Sequence, residues 1–147
     1  MIKSPIMNIY FSCSITGGRS DQAVYQHIVA HLTAQGHEVP TAHLSRADIL
    51  DEEQVIDPQE VYDRDVKWVQ ECGALVAEVS TPSHGVGYEI ALALFLDKPV
   101  FCCFREGVKV SKMLTGNTHP RLKVFSYASD ANLLAALDQF LKQISQT

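Results

Sequence analysis

The 147-residue sequence lacks the features that mark several large classes of protein. No apolar run approaches the roughly 20 residues of a membrane span, and no apolar stretch precedes a small-residue cleavage site near the N-terminus. Basic residues are scarce: 12 Lys and Arg stand against 17 Asp and Glu, giving a formal charge of −5. Proteins that grip long nucleic acid normally carry a basic face. We therefore expect a soluble, cytoplasmic protein with neither a membrane nor a long nucleic acid as partner.

The four cysteines form neither a metal pattern nor a disulfide pattern. Cys13, Cys72, Cys102 and Cys103 contain no CxxC pair, and two of them are adjacent inside an apolar run. Such spacing is typical of neither a zinc site nor a disulfide framework. We predict buried, reduced thiols and no metal, and we set Cys13 apart because it lies in a segment of unusual composition.

Short β-rich runs alternate with longer helical patterns along the whole chain, and the length fits a single domain over residues 1–147. This alternation predicts an α/β protein with a three-layer flavodoxin-like (Rossmann-like) fold and a five-stranded parallel sheet. The predicted strands are Met7–Ile15, His37–Thr41, Ala74–Val79, Pro99–Phe104 and Leu122–Tyr127. The predicted helices are Asp21–Gln35, Pro58–Cys72, Val86–Leu96, Val110–Leu114 and Asn132–Ile144, with Ser45–Asp57 as a long loop or short helix.

Two loops of this fold are candidates for ligand binding. In a flavodoxin-like order the first and third strands are adjacent, and ligands bind where their following connections diverge. The loops Ser14–Arg19 and Ser80–Glu89 both place glycines and hydroxyls where a helix begins, which suits a phosphate. Neither loop matches the GxGxxG or P-loop pattern. An anion site and two ordinary tight turns both remain open as interpretations.

Two carboxylates lie on the apolar faces of predicted helices. Asp65 follows Val61 by four residues and precedes Trp68 by three, so it projects from the apolar stripe of its helix. Glu89 follows Val86 by three residues at the start of another apolar helix. Either one alone could be a satisfied buried acid or an acid favoured by the helix dipole. Together, beside the two loops, they indicate function, because carboxylates are rarely buried unless paired or used.

Paired carboxylates beside a phosphate site suggest cleavage of a glycosidic bond, because no acid cluster resembles a Mg²⁺ site and no lysine takes a P-loop position. If one carboxylate attacks the sugar and the other protonates the leaving base, the two lie about 5 Å apart. The hydroxyl of Tyr10 would point toward the same site as the two carboxylates only if its face of the sheet borders that site; otherwise Tyr10 is a core tyrosine.

Four histidines are weaker candidates. His43 and His84 fall in loops that border the predicted site. His27 and His31 have the spacing of a metal pair, but they fit a solvated helix face.

Four segments carry a resemblance to a known family over nearly the whole chain. Tyr10–Arg19 (YFSCSITGGR), Asp65–Trp68, Ala77–Glu89 (AEVSTPSHGVGYE) and Val110–Gly116 (VSKMLTG) resemble the 2'-deoxynucleoside 5'-phosphate N-hydrolases, which belong with the nucleoside 2-deoxyribosyltransferases. The resemblance implies hydrolysis of the N-glycosidic bond of a (2'-deoxy)nucleoside 5'-monophosphate through a covalent glycosyl-glutamate intermediate. It also implies a homodimer, and no metal or organic cofactor.

The resemblance assigns roles by position. Glu89 matches the nucleophile, Asp65 the acid that helps the base depart, and Tyr10 the tyrosine that orients sugar and nucleophile. Ser111 matches a phosphate-binding serine that the second subunit of the homodimer supplies, and Ser83, Gly85 and the Ser14–Gly17 backbone match the 5'-phosphate cradle. The full set of predicted substrate-binding residues is Cys13, Ser14, Ile15, Thr16, Gly17, Arg19, His43, Ser83, Gly85 and Ser111.

Two positions depart from the family pattern and keep the specificity open. Cys13 stands where glycine is expected and Thr16 where arginine is expected in vertebrate members, both on the predicted sugar and base side. The base and the choice between deoxyribose and ribose therefore stay undecided, which includes a CMP-type ribonucleotide N-glycosidase. Two more functions stay open. One is a deoxyribosyltransferase, disfavoured by a 5'-phosphate site; the second is a non-catalytic nucleotide-binding regulator, disfavoured by the joint presence of both carboxylates and Tyr10.

Overall fold

The computed structural model describes residues 5–15, 21–46 and 48–146, with the backbone alone at residues 50–52. In chain order the elements are β1 (Ile9–Ser12), α1 (Gln22–Ala34), a 3₁₀ helix (Ala42–Ser45), α2 (Ile49–Val55), α3 (Pro58–Glu71), β2 (Ala74–Glu78), α4 (His84–Phe95), β3 (Val100–Arg105), α5 (Lys112–Thr115), β4 (Leu122–Tyr127) and α6 (Asp130–Ile144). The predicted alternation of strands and helices is confirmed. The segment predicted as a long loop or short helix contains α2.

Within the described residues, four strands form one sheet in the order β1-β2-β3-β4, and every neighbouring pair is parallel. The predicted α/β class and the parallel sheet are confirmed, as is the adjacency of the first and third predicted strands, which are β1 and β2. The predicted number of five strands is wrong, because the second predicted strand does not form.

The missing strand, residues 37–41, is reduced to one parallel bridge between Glu38 and the residue before β1. Pro40 has no backbone N–H to extend the ladder, and the chain turns there into the 3₁₀ helix. The Thr41 hydroxyl instead accepts a hydrogen bond from the backbone N–H of Phe11 at 2.8 Å. A side chain thus satisfies a donor of β1 that a fifth strand would have paired.

Helices cover both faces of the sheet, and the alternation of side chains along β1 shows which face each residue occupies. Ile9 and Phe11 are fully buried in a cluster with residues of α1 and α6. Tyr10 is fully buried in a second cluster with residues of α3 and α4, such as Val69 and Ile90. Because successive side chains of a strand point to opposite faces, Ser12 lies on the Tyr10 side. The three-layer arrangement is confirmed.

Local sequence signals set several helix boundaries. Gly36 follows α1 with a φ of 91°, a conformation that glycine adopts without strain, and confirms the predicted stop of this helix. Asp57 caps α3, because its side chain accepts a hydrogen bond from the backbone N–H of Gln59 at 3.2 Å. Pro58 follows as the first residue of this helix, where its missing N–H costs nothing. The fourth helix begins at His84, earlier than predicted.

Three further predictions concern cysteines, histidines and membrane spans. All four cysteines are free and buried, as predicted. His27 and His31 on α1 face Asp130 and Asp138 on α6, and His31 Nε2 lies 2.7 Å from Asp138 Oδ1. These pairs join two helices on the outside of one layer. Among the described residues, no helix combines the length and the apolar character that crossing a bilayer requires.

Candidate active site

A cavity of about 480 Å³ lies at the carboxyl ends of β1 and β2. After β1 the chain leads to α1 on one face of the sheet, and after β2 it leads to α4 on the other face. The cavity therefore occupies the predicted point of divergence between two parallel strands. Its wall brings together the following predicted site residues: Cys13, Ile15, Asp65, Ser83, Gly85 and Glu89.

The Glu89 carboxylate on α4 is held by two hydroxyl groups from β1. The Tyr10 hydroxyl donates to Glu89 Oε2, and the Ser12 hydroxyl donates to Glu89 Oε1 at 2.9 Å. Tyr10 and Ser12 are two residues apart in the strand, so both point toward α4. Each oxygen of the carboxylate has its own donor, and its orientation toward the cavity is fixed.

Burial raises the pKa of Glu89 to about 8. In the part of the chain that the structure describes, no Lys, Arg or His forms an ion pair with this carboxylate. The donated hydrogen bonds from Tyr10 and Ser12 favour the ionised form, in opposition to burial. An oriented carboxylate without a counter-cation suits nucleophilic attack once it has lost its proton.

Asp65 on α3 lines the same cavity and has a different environment. Its side chain is 19% exposed, and the Arg64 Nε–H donates to Asp65 Oδ1 at 2.8 Å. Burial raises the pKa of Asp65, while the Arg64 guanidinium and His43 act to lower it. Oδ2 has no hydrogen bond among the described residues. This carboxyl group can therefore hold a proton closer to neutrality than an exposed aspartate, with one oxygen available to a ligand.

Asp65 contacts a cluster of charged and aromatic side chains formed by His43, Glu53, Arg64 and Trp68. Arg64 Nη2 donates to Glu53 Oε1 at 3.1 Å, and the guanidinium lies 5.1 Å from the centre of the Trp68 ring. His43 packs edge-on against Trp68, and its Nε2 lies 3.7 Å from Glu53 Oε1. His43, predicted as a substrate contact, is thus placed in this cluster and does not line the cavity; Glu53 does line it.

The start of α4 offers backbone N–H groups to the cavity. Ser83 caps this helix, because its Oγ accepts from the backbone N–H of Val86 at 3.4 Å. A Cβ added at Gly85 would meet nothing closer than the Ser83 hydroxyl at 3.9 Å, and one added at Gly87 would meet nothing within 4 Å. Packing of the described residues therefore does not demand these glycines. The open backbone at a helix N-terminus is suited to an anion.

The loop that leads into α4 is braced by buried polar groups. Ser80 donates from its backbone N–H to the fully buried Glu78 at 2.6 Å and accepts from the Arg105 N–H at 2.8 Å. The Thr81 hydroxyl donates to Asp21 at 2.8 Å, and Arg105 pairs with the same carboxylate. Since Asp21 directly precedes α1, these bonds connect the start of α1 to the loop that leads into α4.

The remaining predicted residues either do not line this cavity or lie outside the described part of the chain. Ser14 is buried, whereas Thr16, Gly17 and Arg19 lie outside the described residues. Ser111 caps α5, where its Oγ accepts from the backbone N–H of Met113 at 3.2 Å, and lines a second cavity of about 430 Å³, which shares Ser83 and Val86 with the first. His84 lines this second cavity as well.

Sequence reasoning missed three residues of the site: Ser12, Glu53 and Arg64. Ser12 could have been found, because it lies two residues from Tyr10 on the same face of a strand. Arg64 and Glu53 meet only through the packing of α2 against the neighbouring helix, and no periodic pattern in the sequence indicates that contact.

Comparisons with known proteins agree with this geometry. Residues 9–138 match the family model described as nucleoside 2-deoxyribosyltransferase. The chain is 39% identical over 140 residues to a Rattus norvegicus protein named 5-hydroxymethyl-dUMP N-hydrolase, covering 92% of this chain and 85% of the relative. It is 37% identical over 118 residues, 80% of this chain and 97% of the relative, to a Methanococcoides burtonii protein whose name assigns it provisionally to the 2'-deoxynucleoside 5'-phosphate N-hydrolases.

A solved structure shares the fold. The CMP N-glycosidase of Clostridium botulinum superposes with a TM-score of 0.69 at 18% identity, covering 90% of this chain and 99% of that one. At this level of identity the match supports the architecture alone.

Proposed function

The chain belongs to the nucleoside 2-deoxyribosyltransferase family, and we propose that it hydrolyses the N-glycosidic bond of (2'-deoxy)nucleoside 5'-monophosphates. The products are a free nucleobase and (deoxy)ribose 5-phosphate. The names of its relatives support this activity. The observation that carries it is the Glu89 carboxylate, oriented by Tyr10 and Ser12 and facing the cavity that Asp65 also lines.

In the first step, ionised Glu89 attacks C1' of the sugar. A bond forms between a carboxylate oxygen and C1', the bond from C1' to the base nitrogen breaks, and its electron pair stays with the base. Asp65 gives its proton to the departing base, which leaves neutral. The product of this step is a glycosyl ester on Glu89 together with an ionised Asp65.

In the second step, water releases the sugar. The ionised Asp65 takes a proton from the water as its oxygen attacks C1', and the ester bond to Glu89 breaks with its electron pair on the carboxylate. Two displacements at C1' retain the configuration, as in glycosidases with a carboxylate nucleophile. Both carboxyl groups return to their starting protonation states. All steps use side chains of this chain and water.

The 5'-phosphate binds at the start of α4. The Ser83 hydroxyl accepts from its own helix through a lone pair, so its proton is free to be donated to a phosphate oxygen. Backbone N–H groups around Gly85 add to this, together with the predicted residues of the Ser14–Arg19 loop. Backbone donors and hydroxyls explain how a protein with a formal charge of −5 can hold a phosphate.

The active unit is a homodimer of single-domain chains, in which Ser111 completes the phosphate site of the neighbouring copy. Within one chain Ser111 does not line the cavity that holds Glu89; it lines a second cavity, which Ser83 borders as well. The resemblance to the family assigns Ser111 to the phosphate site of a second copy. Exposed apolar side chains on α4 and α5 support an interface there: Phe95 on α4 is 90% exposed, and Met113 on α5 is 82% exposed.

The second candidate is base exchange, which the description of the matching family favours. Its first step is the same, but a second base in place of water takes the sugar from Glu89. The two activities differ only in the acceptor, so the same incubation can measure both.

The deciding experiment screens the common deoxyribonucleoside and ribonucleoside 5'-monophosphates for released base by chromatography, with and without a second free base and with a chelator. We expect base release that persists with the chelator, with no exchanged nucleotide. Exchanged nucleotide would instead assign a transferase, and saturable binding without release would assign a regulator. Glu89→Ala should bind nucleotide and release no base; release by that variant at the wild-type rate would refute the role of Glu89.

A further inference from the structure

The wall of the cavity that α2 and α3 contribute is mostly apolar, with two carboxylates set in it. Ile56, Val61 and Val66 supply apolar surface, whereas Glu53 and Asp65 are the charged residues of this wall. In the described part of the chain, no Lys, Arg or His lines the cavity. A ligand that enters between these helices therefore meets the two carboxyl groups directly, while the Arg64 guanidinium that pairs with both is not part of the cavity wall.

Glu53 is held in one position. Its side chain is 11% exposed, and its Oε1 accepts from Arg64 Nη2 at 3.1 Å, with His43 Nε2 at 3.7 Å from the same oxygen. Its Oε2 has no hydrogen bond among the described residues. Its partner is a guanidinium, which only donates, so Glu53 acts as the acceptor in this pair.

Glu53 also lies on the base side of the site. Arg64 donates to Glu53 through Nη2 and to Asp65 through Nε, so a single guanidinium spans the two carboxylates. In the proposed reaction Asp65 protonates the departing base. Glu53 shares this guanidinium with Asp65 and lines the same cavity. We therefore place Glu53 beside the base, and not beside the phosphate at the start of α4.

We propose that Glu53 contacts the edge of the base and selects nucleotides whose base carries an exocyclic amino group, such as cytosine or adenine, over those with a carbonyl oxygen in its place. This inference rests on the proposed function, because it names the bases that the Glu89 site accepts. The amino group donates to Glu53 Oε2, whereas a carbonyl oxygen would place a lone pair against a carboxylate lone pair. A site whose buried group accepts a hydrogen bond from the ligand rejects an analogue that cannot donate this bond.

The wild-type chain gives the first test, with substrates that differ in this one group. Rates of base release are measured for dCMP against dUMP, and for dAMP against dIMP. We expect kcat/KM to be higher for the amino-bearing member of each pair by about 10- to 100-fold, the usual consequence of one buried acceptor left unpaired. Equal values, or higher values for dUMP and dIMP, would overturn the assignment.

Glu53→Gln gives the second test, because the amide can donate to a carbonyl oxygen as well as accept from an amino group. We expect the dCMP-to-dUMP ratio of kcat/KM to fall to within about threefold. A ratio between two substrates on one preparation does not depend on the fraction of folded protein. The matched control is Glu60→Gln, an exposed acid in the first turn of α3, which should keep the wild-type ratio.

Binding separates failure of this inference from failure of the proposed function. The affinities of dCMP and dUMP are measured by calorimetry on Glu89→Ala, with and without Glu53→Gln. Absence of base release from every nucleotide would refute the proposed function, and the binding ratio would still test Glu53. Base release with equal rates and equal affinities for the two nucleotides would refute the role of Glu53 alone.

Discussion

Tyr10 in β1 donates a hydrogen bond from its hydroxyl to the carboxylate of Glu89 in α4, across 79 residues of the chain. The Tyr10 ring is fully buried against residues of α3 and α4, so its hydroxyl is fixed by packing. The Ser12 hydroxyl holds the other oxygen of Glu89 at 2.9 Å. A buried strand of the sheet thus orients the proposed nucleophile, and orientation of this kind lowers the entropic cost of attack.

Tyr10→Phe removes the hydroxyl and keeps the buried ring. We expect kcat for base release to fall by about 10- to 100-fold, because Glu89 keeps one donor instead of two and its carboxylate can rotate. KM should change less, since the phosphate binds at the start of α4. Steady-state kinetics with a chromatographic assay measure both values.

Tyr127→Phe is the matched control for that variant. The Tyr127 hydroxyl also donates to a buried carboxylate, that of Glu78, but neither residue lines the cavity with Glu89. Both variants should lose a comparable amount of stability in thermal unfolding, and the large loss of kcat should follow Tyr10→Phe alone. Equal losses of kcat in the two variants would show that the Tyr10 hydroxyl acts through stability and not through orientation.

The pH dependence of kcat/KM reports the two carboxyl groups. In the proposed reaction, the reactive form has Glu89 ionised and Asp65 protonated. The pKa of Glu89 is raised to about 8, and that of Asp65 is raised from its ordinary value, both by burial. If Asp65 titrates below Glu89, the gain of ionised Glu89 and the loss of protonated Asp65 cancel between the two pKa values. We therefore expect a plateau that falls above about pH 8.

Asp65→Asn separates the two groups. We expect kcat/KM to drop by about 100-fold or more and, in contrast to the wild type, to rise with pH until about 8, because only Glu89 then titrates. The profiles are measured above about pH 6.5, where the substrate phosphate is largely dianionic. A variant profile that still falls above pH 8 would remove Asp65 as the proton donor.

Local patterns in the sequence indicated several of the side chains that line the cavity. Asp65 and Glu89 stand out because helical spacing places a charge on an apolar stripe, and the structure puts both in one cavity. The orientation of Tyr10 follows from the alternation of a strand, once the helices on each face are known. These are local rules, so a local reading of the chain can apply them.

Contacts between distant segments could not be predicted from the sequence, for a physical reason. The second predicted strand has the composition of a strand, but Pro40 and the Thr41 hydroxyl replace its ladder with a turn and one side-chain bond. The bridge from Arg64 to Glu53 depends on how a short helix packs, which no periodicity encodes. Both cases are decided by tertiary structure and not by local propensity.

Glu89 also links stability to pH. Its pKa rises from 4.5 to about 8 on folding, so between these values the folded chain holds a proton that the unfolded chain has lost. The free energy of unfolding must therefore decrease as the pH rises through this range. Glu89→Gln cannot ionise, so relative to that variant the wild type should lose about 3 to 4 kcal/mol between about pH 5 and 8.

Urea unfolding of both proteins at several pH values measures this difference. Other buried acids, Glu78 and Asp65 among them, are present in both chains, so their titration cancels in the comparison. A difference that stays constant with pH would show that Glu89 is ionised in the folded protein at neutrality, with the two hydroxyl donors outweighing burial.

Ser111 tests the proposed dimer, because in that proposal it binds the phosphate in the site of the other copy. We expect the protein to elute at twice its chain mass of 16.3 kDa. Ser111→Ala should raise KM by about tenfold with little change in kcat, because the hydrogen bond from the serine hydroxyl to the charged phosphate is lost. Kinetics with one substrate and light scattering on the same sample measure both expectations.

Mixing two variants then decides whether the serine acts across the interface. In a mixed dimer of Glu89→Ala and Ser111→Ala chains, one site carries both substitutions, and the other combines an intact Glu89 with the partner's intact Ser111. Mixing should therefore restore turnover with the wild-type KM, although Glu89→Ala alone is inactive and Ser111→Ala alone has the raised KM. If Ser111 acted within its own chain, each site of the mixed dimer would keep one defect, and the raised KM would persist after subunit exchange.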